Sequence, residues 1–162
     1  MAAGYCLKLK LEKGGEVKGE CEIEGFKGQL EIDSFAWGEV NPGRLGRHDA
    51  TQTTAQDFNM TMTTCTASPV LMQACAMGDP IKEFKLALVK AVSGEKPVEY
   101  MSWTLKEAFI SSYQIGGSSG VPTDSFSINF KTVEVDFKEQ TKGGKPEKPF
   151  KGSFDYGNQK PN

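Results

Sequence analysis

A chain of 162 residues with nineteen basic against twenty-one acidic side chains and a net charge of −2 lacks the bulk field that draws a protein onto nucleic acid or an anionic membrane. Hydrophobic residues make up 38% and charged residues 25%, ordinary globular usage, and a chain of this size buries roughly two thirds of its unfolded surface, so it folds without a metal or a disulfide. Lys8, Lys10 and Glu12 interrupt the first apolar positions too early for a secretory signal, and no later run approaches a membrane helix; the expectation is a soluble protein made in the cytoplasm, without membrane anchor, whose export avoids a cleaved signal.

Tyr5, Leu7, Leu9 and Leu11 alternate with Lys8, Lys10 and Glu12, the period-two pattern of a half-buried strand. Residues 12–20 are a charged, glycine-punctuated loop. A second strand is predicted from Gly28 to Trp37, with Leu30 and Ile32 on one parity and Phe35 and Trp37 on the other, which requires a bulge or burial of both faces. Residues 39–54 form an extended polar loop without an apolar period of either kind, and loops of that length in compact domains are usually functional or disordered. Phe58, Met60 and Met62 mark a third strand. The single helix follows: Ser68 as cap, Pro69 in the first turn, Leu71, Met72, Cys75 and Ala76 as one apolar stripe, and Gly78 as the stop.

The second half is strand-rich. Phe84, Leu86 and Leu88 alternate; Val98–Leu105 and Ala108–Ile115 read as consecutive strands; Gly116–Gly120 is a turn. Phe126, Ile128 and Phe130 precede Val133, Val135 and Phe137 on the opposite parity, which predicts one long strand with a bulge near Lys131. Residues 139–162 read as a partly flexible tail rich in Lys, Gly and Pro, with a short strand around Phe150, Phe154 and Tyr156. The fold class is mainly β: a compact antiparallel β-barrel of two packed sheets with one short flanking α-helix, residues 1–162 forming a single domain.

Catalytic chemistry finds little support. The histidine His48 lies beside Asp49 in the polar loop with no nucleophile elbow elsewhere. Glu22 with Glu24, and Glu134 with Asp136, share strand faces as solvated carboxylates commonly do. Cys6, Cys21, Cys65 and Cys75 have irregular spacing and no paired zinc motif, and read as reduced structural thiols, with disulfides as the open alternative because the sequence places no pair in space. The glycine run at 116–120 precedes a strand and is no phosphate cradle. The tail lysines lack the interleaved aromatics of a nucleic-acid site. No catalytic residue, metal or cofactor is assigned, and a binding or self-assembling protein remains.

Several segments together resemble the haemolysin-coregulated protein (Hcp) family of type VI secretion. They are Tyr5–Lys10 with Gly15-Glu16, Ile32-Asp33-Ser34-Phe35-Ala36-Trp37-Gly38, the helix Ser68–Cys75 with Gly78, and Gly94-Glu95-Lys96-Pro97-Val98-Glu99-Tyr100. Thr104–Glu107, Ile110–Tyr113, Gly116-Gly117 and Asp124–Phe130 continue the resemblance, while the loop 39–54 and the tail 139–162 do not match residue by residue. The resemblance implies a homo-hexameric ring that stacks into the hollow inner tube of the secretion machine. It also implies a contractile sheath, spike and baseplate as partners, secretion from the cell, and small effectors carried or chaperoned in the lumen. Asn41, Arg44, Leu45, Arg47, His48 and Asp49 are the candidate ring-stacking residues, chosen for the length and aperiodicity of their loop. The competing reading is a small-ligand-binding β-barrel that does not polymerise.

Overall fold

The computed structural model describes residues 3–43, 52–140 and 146–161. In chain order the elements are β1 (Gly4–Leu11), β2 (Gly15–Glu16), β3 (Leu30–Ile32), β4 (Ser34–Ala36), β5 (Glu39–Val40), β6 (Thr54–Ala55) and β7 (Phe58–Thr63). After these come α1 (Ser68–Met77), β8 (Pro80–Lys90), β9 (Val98–Lys106), β10 (Ala108–Gly116), β11 (Thr123–Asn129), β12 (Thr132–Gln140) and β13 (Pro146–Asp155). The chain is mainly β with one short helix, as expected from its alternating patterns.

Three bends turn this ladder into a barrel. Along one edge, β8 pairs with β1; along the other, its Phe84–Lys90 stretch meets β9 while Pro80 and Ile81 meet β10. β9 and β10 are therefore one line of chain bent at Glu107, a non-glycine residue at φ 51°. Beside this corner the expected single long strand around Lys131 is instead two: β11 pairs with β10, and β12 pairs with β9. Lys131 marks the break, its amide donating to the Lys106 carbonyl at 3.2 Å and its ammonium lying 3.4 Å from the Glu107 carboxylate. A strand cannot stay straight beside a bent neighbour without losing its ladder, so both bend together.

The third bend resolves the parity change between Leu30 and Trp37. β3 pairs with β1, β4 pairs with β7, and the chain turns at Asp33, whose amide donates to the Thr61 carbonyl. The turn resets the alternation, so Leu30 and Ile32 point inward before it and Phe35 packs inward after it. Through β3 and β4 the circuit β8–β1–β3/β4–β7–β11–β10–β8 closes, and the two expected layers are the two halves of one continuous ladder.

Leu7, Leu9, Phe58, Met62, Leu86 and Ile128 are fully buried between those halves. Phe58 is the hub: its ring centroid lies 5.9 Å from Phe35, 5.8 Å from Phe84 and 6.0 Å from Trp103. A second, smaller core lies on the opposite face of β1 and β8, where Cys6, Ala87 and Val89 are covered by Cys21 and Ile23.

The helix departs from expectation in two respects. Ser68 does not cap the helix; its hydroxyl oxygen accepts the Cys65 amide at 3.1 Å, holding the turn before the helix. Of the predicted stripe, Leu71 is buried while Met72 is 55% exposed, so the contact face runs through Ser68, Leu71 and Ala74. Gly78 terminates the helix as expected, at φ 63° in the left-handed region that a side chain disfavours.

Candidate assembly surfaces

The long loop is anchored at its root. β5 and β6 pair with each other, and the Gln56 amide donates to the Gly38 carbonyl at 2.9 Å, so the two described ends of the loop run side by side. Of the six candidate stacking residues, Asn41 is described, with its side-chain oxygen accepting the Gly43 amide at 3.0 Å. Arg44, Leu45, Arg47, His48 and Asp49 lie outside the described residues.

The tail holds that root in place. β13, together with a turn closed by an Asp155–Lys160 bridge, contains and extends the short strand expected around Phe150 and Phe154. Gln159 grips the loop: its Oε1 accepts the Thr53 amide at 2.8 Å and its Nε2 donates to the Thr53 carbonyl at 3.0 Å. The Tyr156 hydroxyl donates to the Glu39 carboxylate, and burial together with that donation pushes the phenol's pKa well above its ordinary value. Asp155 organises the turn by accepting the Asn158 backbone and side-chain N–H groups at 3.0 and 2.9 Å. The Asn158 backbone amide, and then its side chain and the Lys131 charge, hold the Asp155 carboxyl below its usual range. Nothing local in the sequence signals this clasp, since its partners are 106 residues apart.

The barrel's outer surface divides in two. β4, β7, β10 and β11 carry one charged residue among them, Asp124, and it is fully buried. The Thr64 hydroxyl donates to its carboxylate at 2.7 Å and the Tyr113 hydroxyl at 3.0 Å. Burial, and then that donation, raises the Tyr113 pKa. Outward from these strands point hydroxyls and amides: Ser34, Thr61, Ser112, Gln114 and Ser125 line a shallow trough of about 550 Å³. Ser111, Ser112 and Ser127 are joined by hydroxyl hydrogen bonds, and Asp57, just outside β7, accepts from Ser111 and from the Asn129 amide. The charge-free run from Ala108 to Thr123 was readable in the sequence, but its position on one wall was not.

Beyond the corner, the outer faces of β1, β8, β9, β12 and β13 carry ion pairs: Lys8 with Glu83 at 3.2 Å, Lys85 with Glu99 at 3.1 Å, and Lys151 with Asp136 at 3.8 Å. Large apolar side chains are also exposed, Phe109 and Ile115 on β10 and two further groups. Val70, Met72 and Met77 stand on the free face of α1, and Phe137 and Phe150 face each other across the β12–β13 ladder. Among the described residues no cluster of three metal-ligating side chains occurs, and no helix is long and apolar enough to cross a membrane. Of the carboxylates considered for catalysis, Glu24 faces Lys96 at 3.4 Å and Asp136 faces Lys151, so these two belong to the ion-paired surface.

A family profile described as "Type VI secretion system effector, Hcp" matches residues 8–137. The chain belongs to the Hcp family. Protein hcp1 of Pseudomonas aeruginosa is 34% identical over 139 residues, covering 82% of this chain and 84% of that one. Among solved structures, one titled "Structure of a type six secretion system protein" superposes with a TM-score of 0.82 at 20% identity, over 98% of this chain and 99% of the other. Hcp1 from Salmonella typhimurium superposes at 0.74 with 20% identity, over 98% and 99%. The chain is thus a tube protein of the type VI secretion system, from a family of secreted proteins that form hexameric rings, and the non-polymerising ligand barrel is set aside.

Proposed function

We propose that this Hcp protein forms hexameric rings that stack into a tube with the uncharged wall of β4, β7, β10 and β11 facing the bore. The observation that carries the placement is the absence of outward-pointing charge on those four strands. A lumen through which folded cargo passes works best when its wall offers hydrogen bonds without fixed charges, because a charged wall would hold oppositely charged cargo and repel the rest. Small effectors are the cargo, and the sheath, spike and baseplate of the secretion machine are the partners outside the bore. The protein is made in the cytoplasm and leaves the cell as part of the tube.

A closed ring needs two different patches on each subunit that meet head to tail. The exposed apolar groups supply them: Val70, Met72 and Met77 on one side, Phe137 and Phe150 on the other. β13 is moreover the terminal strand of its sheet, an edge that a neighbouring subunit covers. The loop 39–54, with Asn41, Arg44, Leu45, Arg47, His48 and Asp49, carries the weaker contact between rings.

Light scattering on the size-exclusion peak, with negative-stain imaging, tests the ring: annular particles of six subunits are expected, and a monomer at every concentration overturns it. Deleting residues 44–50 abolishes tubes and leaves rings; loss of both sinks the division of labour. For the bore, Thr61→Cys in a Cys65→Ser, Cys75→Ser background is labelled with a maleimide gold cluster. Density inside the ring is expected, and density on its outer rim rejects the placement.

A further inference from the structure

The tube reading makes no use of the second core, where the sulfurs of Cys6 and Cys21 lie 3.3 Å apart, both at most 1% exposed. Two independent sets of backbone bonds create this approach. Cys6 sits on β1 opposite Glu31 of β3. Cys21 is held to the segment leading into β3, its amide donating to the Gln29 carbonyl at 3.0 Å and its carbonyl accepting the Gly28 amide at 3.1 Å. Gly19 locks the crossing, because a Cβ there would stand 2.5 Å from the Gln29 oxygen and 2.6 Å from the Leu30 Cα. The sulfurs therefore meet through fixed backbone. Closing the gap to a covalent bond of about 2.0 Å asks each sulfur to move by roughly 0.6 Å. Cys65 and Cys75 pack against the main core instead.

We propose that Cys6 and Cys21 are a redox site, free thiols inside the cell and an intrachain disulfide once the chain meets an oxidising compartment. The change of compartment rests on the export reading above. The oxidant is a disulfide, either oxidised glutathione or the active-site disulfide of a protein oxidoreductase. One cysteine, as thiolate, attacks a sulfur of that disulfide, forming a mixed disulfide and releasing one thiol. The second cysteine, as thiolate, then attacks its neighbour's sulfur in the mixed bond and releases the other. The two electrons and two protons lost by the pair reduce the co-reactant to two thiols.

Burial sets the timing. Both sulfurs are shut off from solvent, and desolvation, then the Cys21 thiol beside it, raises the Cys6 pKa far above that of a free thiol, so an oxidant does not reach the covered pair. Exchange requires the covering segment to lift. Its outer residues Glu20, Glu22, Glu24 and Lys27 are exposed, and the backbone bonds of Gly19 and Cys21 run to Gly28 and Gln29 rather than to β1 or β8, so the segment can lift from those strands as a unit by local opening. The bond would then staple that segment to β1, closing a short loop in the unfolded chain.

The test refolds the full, reduced and denatured chain in glutathione buffers of graded ratio, blocks remaining thiols and maps them by mass spectrometry. Refolding gives the pair access to the oxidant, so inert burial cannot hide the result. A Cys6–Cys21 bond is expected in more than half of the molecules at equimolar reduced and oxidised glutathione, with Cys65 and Cys75 recovered free. The oxidised chain should melt about 5–10 °C higher than the reduced one, and Cys21→Ala should remove that difference. Cys6 and Cys21 recovered free in the oxidising buffers, a bond involving Cys65 or Cys75, or a lower melting temperature on oxidation would each overturn the proposal. Ring size, measured on the same samples, reads the tube separately: failure to form rings would leave the disulfide result standing.

Discussion

The two halves of the barrel share strands, core and hub, yet they present opposite surfaces. On one side of the Glu107–Lys131 corner the outward positions are uncharged, mostly Ser, Thr, Asn and Gln with Phe109 and Ile115 among them; on the other, paired Lys, Glu and Asp stand beside Phe137 and Phe150. The same lines of chain, β9/β10 and β11/β12, pass from one character to the other within a few residues of the bend. Folding does not demand this, since either composition covers a sheet face. Under the proposed tube, the division corresponds to what each wall meets after assembly.

The largest expected effect comes from the residue both halves share. Phe58→Ala should destabilise the chain by about 3–5 kcal/mol, in a single urea transition seen alike by far-UV circular dichroism and the fluorescence of Trp37 and Trp103; two separate transitions would mean that the halves fold independently. Within the uncharged half, Asp124→Ala leaves the Thr64 and Tyr113 hydroxyls without their acceptor and should cost about 2 kcal/mol, read from the same titration. At the root of the loop, Gln159→Ala should cost about 1 kcal/mol and speed amide exchange at Thr53, while exchange at Phe58 stays unchanged.

The charged half should respond more weakly and depend on salt. Lys85→Met should cost less than about 1 kcal/mol, because its side chain is 45% exposed, and the difference should shrink on raising ionic strength. Substituting Ser125 by Ala should show no such salt dependence. The smallest effect is set by pH. The folded-state pKa of Asp155 lies below its unfolded value, so its turn contributes stability that is fully present above about pH 4 and lost as the pH falls through the folded value. Asp155→Asn should lower the neutral plateau by that contribution and flatten the acid limb, so that the two proteins converge at low pH.

Alternation and punctuation in the sequence determined much of the fold. Leu7, Leu9 and Leu11, Phe58, Met60 and Met62, and Phe84, Leu86 and Leu88 identified their strands because a half-buried strand must alternate, and Pro69 and Gly78 bounded the helix because backbone constraints act locally. The family was legible through ordered segments spread over most of the chain. The tertiary structure alone decided where strands bend: the splits at Asp33 and Lys131 follow from hydrogen-bonding partners far away in sequence, and an isolated strand pattern carries no record of its neighbours. It alone lengthened the short strand expected around Phe150, Phe154 and Tyr156 into β13 and set a clasp on the loop, because Gln159 meets Thr53 only after both ends of the chain have packed. The meeting of Cys6 with Cys21, and the gathering of uncharged positions onto one wall, have the same origin. Periodicity tells which side of a strand is buried, whereas which strands stand together is fixed by long-range pairing.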